Sequence, residues 1–117
     1  MRLKSEIWVK AYLRTAAAGG CPGVVARHGD DEAGAIFIKV SRLDGTAQLF
    51  GPAPAGFDGV DQERKWIPWH KGAIATEAEV DAVMEREAKY DSDLWLIEIE
   101  SPRGAHFLES WLLATPT

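Results

Sequence analysis

Two short apolar runs flanking an Asp-Gly step form the clearest pattern in this chain. Residues 35–42 read Ala-Ile-Phe-Ile-Lys-Val-Ser-Arg, residues 47–50 read Ala-Gln-Leu-Phe, and Asp44-Gly45 lies between them. β-Branched and aromatic residues on either side of Asp-Gly predict a β-hairpin. Alternation over Leu94 to Glu100 predicts a further strand, and Val24 to Arg27 and Lys65 to Trp69 predict two shorter ones. Pro68 has no N–H for a ladder, so the 65–69 strand belongs at a sheet edge. The turn Ser101-Pro102-Arg103-Gly104 leads into a last short strand, Ala105 to Leu108.

Helical spacing occurs twice. Ile7, Trp8, Ala11, Tyr12 and Ala16 recur with a helical period behind Ser5, a good N-cap. Ala16-Ala17-Ala18 continues that helix and Gly19-Gly20 with Pro22 stops it. Residues 6–14 also alternate as a strand would; the alanine run and the double glycine decide for helix. Thr76-Glu-Ala-Glu79 is a capping box, and the helix it starts extends to about Tyr90. Trp111-Leu112-Leu113 is expected to dock on the domain, because leaving three large apolar groups in water is costly.

Strands joined by tight turns and set between two separated helices imply one α+β domain over residues 1–117. Its expected architecture is a single antiparallel sheet of five to six strands with both main helices packed on one face. With Asp44-Gly45 as a two-residue turn, Ile36, Ile38, Val40 and Leu49 point to one face, and Phe37, Lys39, Ser41, Gln48 and Phe50 to the other. The second face then becomes a mixed aromatic and charged surface.

Composition narrows the function classes. The chain has 117 residues, 46% hydrophobic and 26% charged, with a net charge of −5. This length supports one self-sufficient core. No apolar run approaches the ~20 residues of a membrane span. The charged N-terminus does not read as a signal peptide, and the single Cys21 allows no internal disulfide, so a cytoplasmic setting is expected. Surplus acid argues against a nucleic-acid binder. The charge is uneven, however: residues 1–42 carry +3 and residues 43–117 carry −8.

No nucleophile elbow, phosphate-cradling glycine loop, His-Glu-x-x-His or dinucleotide fingerprint is present. No catalytic residue, cofactor or metal ligand is therefore assigned. His28, Asp30, Asp31 and Glu32 are metal-ligand types, but a turn demands such residues on its own account. Glu98 and Glu100 read as cross-strand partners of Lys39 or Arg42. Glu87 falls on the apolar arc of its helix, and either the helix end brings it to solvent or Arg14 or Arg27 pairs with it. Cys21 follows a helix C-terminus, which disfavours a reactive thiolate.

Five tryptophans are many for this length, and Trp66 and Trp69 follow an irregular stretch over residues 51–63. Three apart on a strand, they point to opposite faces. Aromatic groups beside such a loop suit an interface or a ligand pocket.

Arg2 to Val9, Gly34 to Ala47, Gly51-Pro-Ala-Pro54 and Tyr90 to Trp95 together resemble a family of short bacterial proteins. That family, domain of unknown function 1491, is found mainly in alphaproteobacteria. The resemblance spans nearly the whole chain and implies a single-domain protein with no assigned activity.

The sequence thus predicts a small binding domain acting through a protein partner or self-association, so that a homodimer is among the expected states. The expected surface is Phe37, Lys39, Gln48, Phe50, Trp66 and Trp69. The alternative is an anionic-ligand protein or enzyme, with Arg27, Lys39 and Arg42 gripping the ligand under the 51–63 loop.

Overall fold

A computed structural model describes residues 3–54, 64–69 and 74–112. In chain order the elements are α1 (Ser5–Ala18), β1 (Gly23–Arg27), β2 (Ile36–Ser41), β3 (Thr46–Pro52), β4 (Trp66–Pro68), β5 (Ala75–Thr76), α2 (Glu77–Tyr90) and β6 (Trp95–Glu100). The strands form one six-stranded sheet in the order β1-β6-β2-β3-β4, with β5 pairing alongside β3. The α+β class and the strand-rich organisation are as the sequence predicts. The pairing is antiparallel except for β2 and β6, which run parallel from Ile36↔Trp95 to Ser41↔Glu100.

The hairpin differs from expectation by one residue, with a large consequence. Arg42 N–H donates to Thr46 O at 3.0 Å, so the loop holds three residues, Leu43, Asp44 and Gly45. Leu43 and Gly45 have φ values of 63° and 89°, and Asp44 Oδ1 accepts the Thr46 N–H at 2.9 Å. The register is Lys39↔Leu49 and Ile38↔Phe50. A one-residue slip inverts every side chain of a strand. Leu49 therefore shares a face with Phe37 and Lys39, while Gln48 and Phe50 share one with Ile36 and Ile38.

Both faces are consequently core. Ile36, Ile38, Val40, Phe50, Ile97 and Ile99 pack against Trp8, Val9, Tyr12 and Ala16 of α1. Phe37, Ala47, Leu49 and Leu94 pack against Val80, Val83 and Met84 of α2. The helices thus lie on opposite faces of the sheet and not together on one.

α1 ends at Gly19-Gly20 as expected, but its start is built differently. Ser5 does not cap it; Lys4 is the N-cap residue and makes no side-chain cap bond. The free amides of Ser5 and Glu6 donate instead to Glu32 O and Asp31 O, at 3.1 and 2.9 Å. The Ser5 hydroxyl, released from capping, donates to Gly34 O at 2.7 Å and accepts from Arg64 Nη2 at 2.8 Å. Thr76 does cap α2, accepting the Glu79 N–H at 3.1 Å.

The segment 105–108 is not a strand. Phe107 takes a φ of 61°, and the His106 carbonyl accepts the Tyr12 hydroxyl at 2.6 Å instead of a ladder partner. Trp111 and Leu112 close over the α1 side of the core, and Trp66 forms a parallel bridge with Leu112. Leu113 lies outside the described residues.

Candidate interaction site

The six residues expected to form a binding surface do not form one. Phe37, Lys39, Phe50 and Trp66 are each at most 4% exposed. Phe37 and Lys39 face α2, whereas Phe50 and Trp66 belong to the α1 core. Trp66 and Trp69 take opposite faces as the spacing requires. Trp66 is the buried one, and Trp69 packs edge-on to Phe37 with centroids 5.1 Å apart. Gln48 is half-buried. The physical reason is the three-residue hairpin loop: it turns β3 over and lets α2 cover the face that the sequence leaves open.

Lys39 stands at the centre of this covered face. Its Nζ lies 2.7 Å from Glu77, 2.9 Å from Asp81 and 3.6 Å from Glu98. Burial pushes the ammonium down, but the hydrogen bonds to Glu77 and Asp81 and the charge of Glu98 more than reverse this and hold it above the ordinary lysine value. Glu77 is held below its ordinary value by the Lys39 hydrogen bond and then by the Ser41 hydroxyl, which donates to it at 2.6 Å. One buried cation clamped by three acids is a structural tie between β2, β6 and α2.

The three bases of the anion reading are likewise separate. Lys39 is saturated by acids, the Arg42 guanidinium lies against Gly104, and Arg27 sits on the edge strand β1. Residues 55–63, most of the loop expected to roof that pocket, lie outside the described residues. His28 Nε2 pairs with Asp31 at 2.7 Å, and its ring lies on Trp95 with centroids 4.1 Å apart. Among the described residues no group of three or more His, Cys, Asp or Glu side chains is placed to hold a metal ion. Glu87 is half-buried near the end of α2 and has no ion pair with Arg14 or Arg27.

What the structure does leave open is the outer part of the α2 face. α2 packs over β3 and leaves β1 uncovered, so four of the five β1 residues are exposed. Val24 is 60% exposed and Val25 39%. Val24 pairs with Glu98 and Arg27 with Leu96, which puts Val24 and Arg27 on the α2 side of the sheet. A groove of about 510 Å³ runs between the two elements. Its floor is Leu96 with Met84 and Ala88, its strand bank is Arg27, and its helix bank is Asp81, Glu85 and Lys89. The sequence carries a signal for it in two adjacent valines on a short strand, which put apolar groups on both faces, and in the i,i+4 row Asp81–Glu85–Lys89. A smaller cavity of about 320 Å³ lies beside Leu3, Lys4 and Arg64, where Lys4 pairs with Glu32 at 3.6 Å.

The fold and this groove define a small α+β domain, one sheet between two helices, without a recognisable catalytic centre among the described residues. The chain belongs to the DUF1491 family, described as a protein of unknown function, whose model matches residues 3–109. It is similar to a DUF1491 family protein from Caulobacter crescentus CB15 known from a crystal structure. The two share 40% identity at a TM-score of 0.79, over 97% of this chain and 100% of that one. It is also similar to protein Atu0922 from A. tumefaciens, known from a solution structure. Identity there is 37% and the TM-score 0.80, over 100% of this chain and 99% of the other. No curated protein matches it significantly. Among the described residues no helix is long and apolar enough to cross a membrane.

Proposed function

We propose that this domain works by docking another protein surface, and that the surface it offers is the groove between α2 and β1. The observation that carries this reading is the exposure of Val24, an apolar side chain on the α2 side of the edge strand β1. Contiguous apolar surface rimmed by charge is the signature of an interaction site. The polar residues of the groove fit a protein partner better than a small ligand, because they stand apart on two banks and do not converge on one point. A reducing cytoplasmic setting belongs to the same reading, since the lone Cys21 is a free, buried thiol. The anionic-ligand alternative has less support: of its three bases only Arg27 reaches the groove.

A photoreactive amino acid placed at position 24, with position 17 on the exposed side of α1 as control, tests this. In cell extract the position-24 probe is expected to give adducts that excess unlabelled wild-type protein suppresses and the Val24→Asp variant does not. Equal labelling from both positions, or none from position 24, overturns the reading.

A further inference from the structure

On the opposite, α1 side of the sheet, and independently of the docking surface, we infer that the segment 105–112 is a latch operated by the charge of His106. Phe107 within it holds a φ of 61°. That left-handed conformation is strained for an aromatic residue and persists only where the surroundings over-determine it. Two hydrogen bonds flank it. The Tyr12 hydroxyl donates to the His106 carbonyl at 2.6 Å, and the Leu108 N–H donates to His106 Nδ1 at 2.9 Å. Leu108 O in turn accepts the N–H groups of Trp111 and Leu112 at 2.8 and 3.0 Å, and Trp111 O accepts the Trp66 N–H at 2.8 Å. Whatever moves Leu108 is therefore passed to the residues that close the core over Trp8.

The Leu108 bond dictates the charge of the ring. A backbone N–H can only donate, so Nδ1 must offer its lone pair, and the imidazole is neutral with its proton on Nε2. The same Nδ1 lies 3.8 Å from the Glu109 carboxylate. Protonation turns Nδ1 into a donor, which loses the Leu108 N–H and gains Glu109. One atom thus stands between a donor that requires the neutral ring and an acceptor that requires the charged one. Leu108 is fully buried, so its amide, once released, finds no water in place of the nitrogen. The ring itself is 21% exposed and open to solvent protons. The other groups around it, among the described residues, leave this choice to Nδ1. Phe50 of β3 meets the ring edge-on with centroids 5.0 Å apart and carries no charge. Tyr12 of α1 stays protonated, because burial and then the charges of Cys21 and Glu109 hold its phenol above the ordinary value. The Arg42 guanidinium lies against Gly104, two residues before His106, and opposes protonation where Glu109 favours it. An imidazole changes charge between about pH 5 and 8. Acidification across that range releases Leu108 and lets Phe107 relax.

Nuclear magnetic resonance of the full chain between pH 5 and 8 tests this, following the His106 ring and the hydrogen exchange of the Leu108 amide. Protection is taken after correction for the intrinsic exchange rate and relative to Ile38 in the central strand, which reports global stability. In the wild type the Leu108 amide is expected to lose about tenfold in protection on acidification, with the midpoint at which the His106 ring titrates. His106→Asn supplies an uncharged acceptor, since an Asn side chain bonds the N–H two residues on. It is expected to hold Leu108 protection constant over the same range, a result that a merely structural role for His106 does not produce. Leu108 protection that fails to follow the ring in the wild type overturns the latch on that measurement alone. A loss in His106→Asn equal to that of the wild type overturns it too, by assigning the change to another group.

Discussion

The indole nitrogen of Trp66 donates a 2.9 Å hydrogen bond to the carbonyl oxygen of Ile36, tying the edge strand β4 to the start of the central strand β2. The same ring stacks on Trp8 with centroids 4.2 Å apart. Trp8 offers the complementary case, since its own indole nitrogen is buried without a partner. Removing a bonded donor strands its acceptor, whereas removing an unbonded one forfeits nothing. Trp66→Phe is therefore expected to lose about 1–2 kcal/mol more stability than Trp8→Phe, read from urea denaturation midpoints.

The clamp on Lys39 gives a prediction with a pH signature. Replacing Lys39 by Met leaves Glu77, Asp81 and Glu98 facing one another without their cation. Breaking a buried pair costs about 3–5 kcal/mol, and the partial exposure of the three acids brings the expected loss near neutral pH to about 2–3 kcal/mol. In the wild type the depressed Glu77 contributes stability above the unfolded carboxylate value of about 4.3 and loses it as pH falls through its lower folded value. The raised Lys39 contributes fully below about 10.4 and loses its share only as pH rises through its higher folded value. The gap between wild type and Lys39→Met should thus be widest between these limits and shrink in acid, where protonation relieves the stranded carboxylates. A gap independent of pH would show that the clamp is not electrostatic.

Tyr12 should resist ionisation. Burial, and then the charges of Cys21 and Glu109, push its phenol above the ordinary value of 10.0, and its hydroxyl is engaged with the His106 carbonyl. With two tyrosines in the chain, a Tyr90→Phe variant isolates it for ultraviolet difference titration. Phenolate absorbance is expected to appear together with alkaline unfolding and not before it. Stability falls once pH exceeds the unfolded tyrosine value of about 10, because only the unfolded chain then releases the proton.

Two glycines separate crowding from backbone strain. A Cβ at Gly29 would run into the carbonyl of Asp93 and the backbone of Leu94, whereas Gly45 faces open space at a φ of 89°. Gly45→Ala carries only the left-handed strain of about 1–2 kcal/mol. Gly29→Ala must push two backbone segments apart and should cost at least about 3 kcal/mol. Thermal unfolding of the two variants checks the order.

Local chemistry was readable in the sequence, and long-range pairing was not. The capping box at Thr76, the stop at Gly19-Gly20 and the alternation of β2 and β6 are decided by neighbouring residues, and all are found where the sequence predicts them. The faces were not, because they hinge on whether Leu43 belongs to the strand or to the loop. Leu43 adopts a positive φ that a leucine gives no reason to expect, and that residue alone turns β3 over. Lys39 looks like a surface charge for a related reason: two of the acids that neutralise it come from α2, some forty residues away. The groove was hidden because its two banks, Arg27 and Glu85, meet only once β6 has carried β1 to the sheet margin.

The place of β6 between β1 and β2 also sets an order of assembly. During synthesis α1 and β1 emerge first, yet β1 has no neighbour in the sheet until residues 95–100 follow. The β2–β3 hairpin can close early because its contacts are local. β1 must wait, its backbone without a strand partner, until residues 95–100 have been made. The last strand made is the one that seats the first.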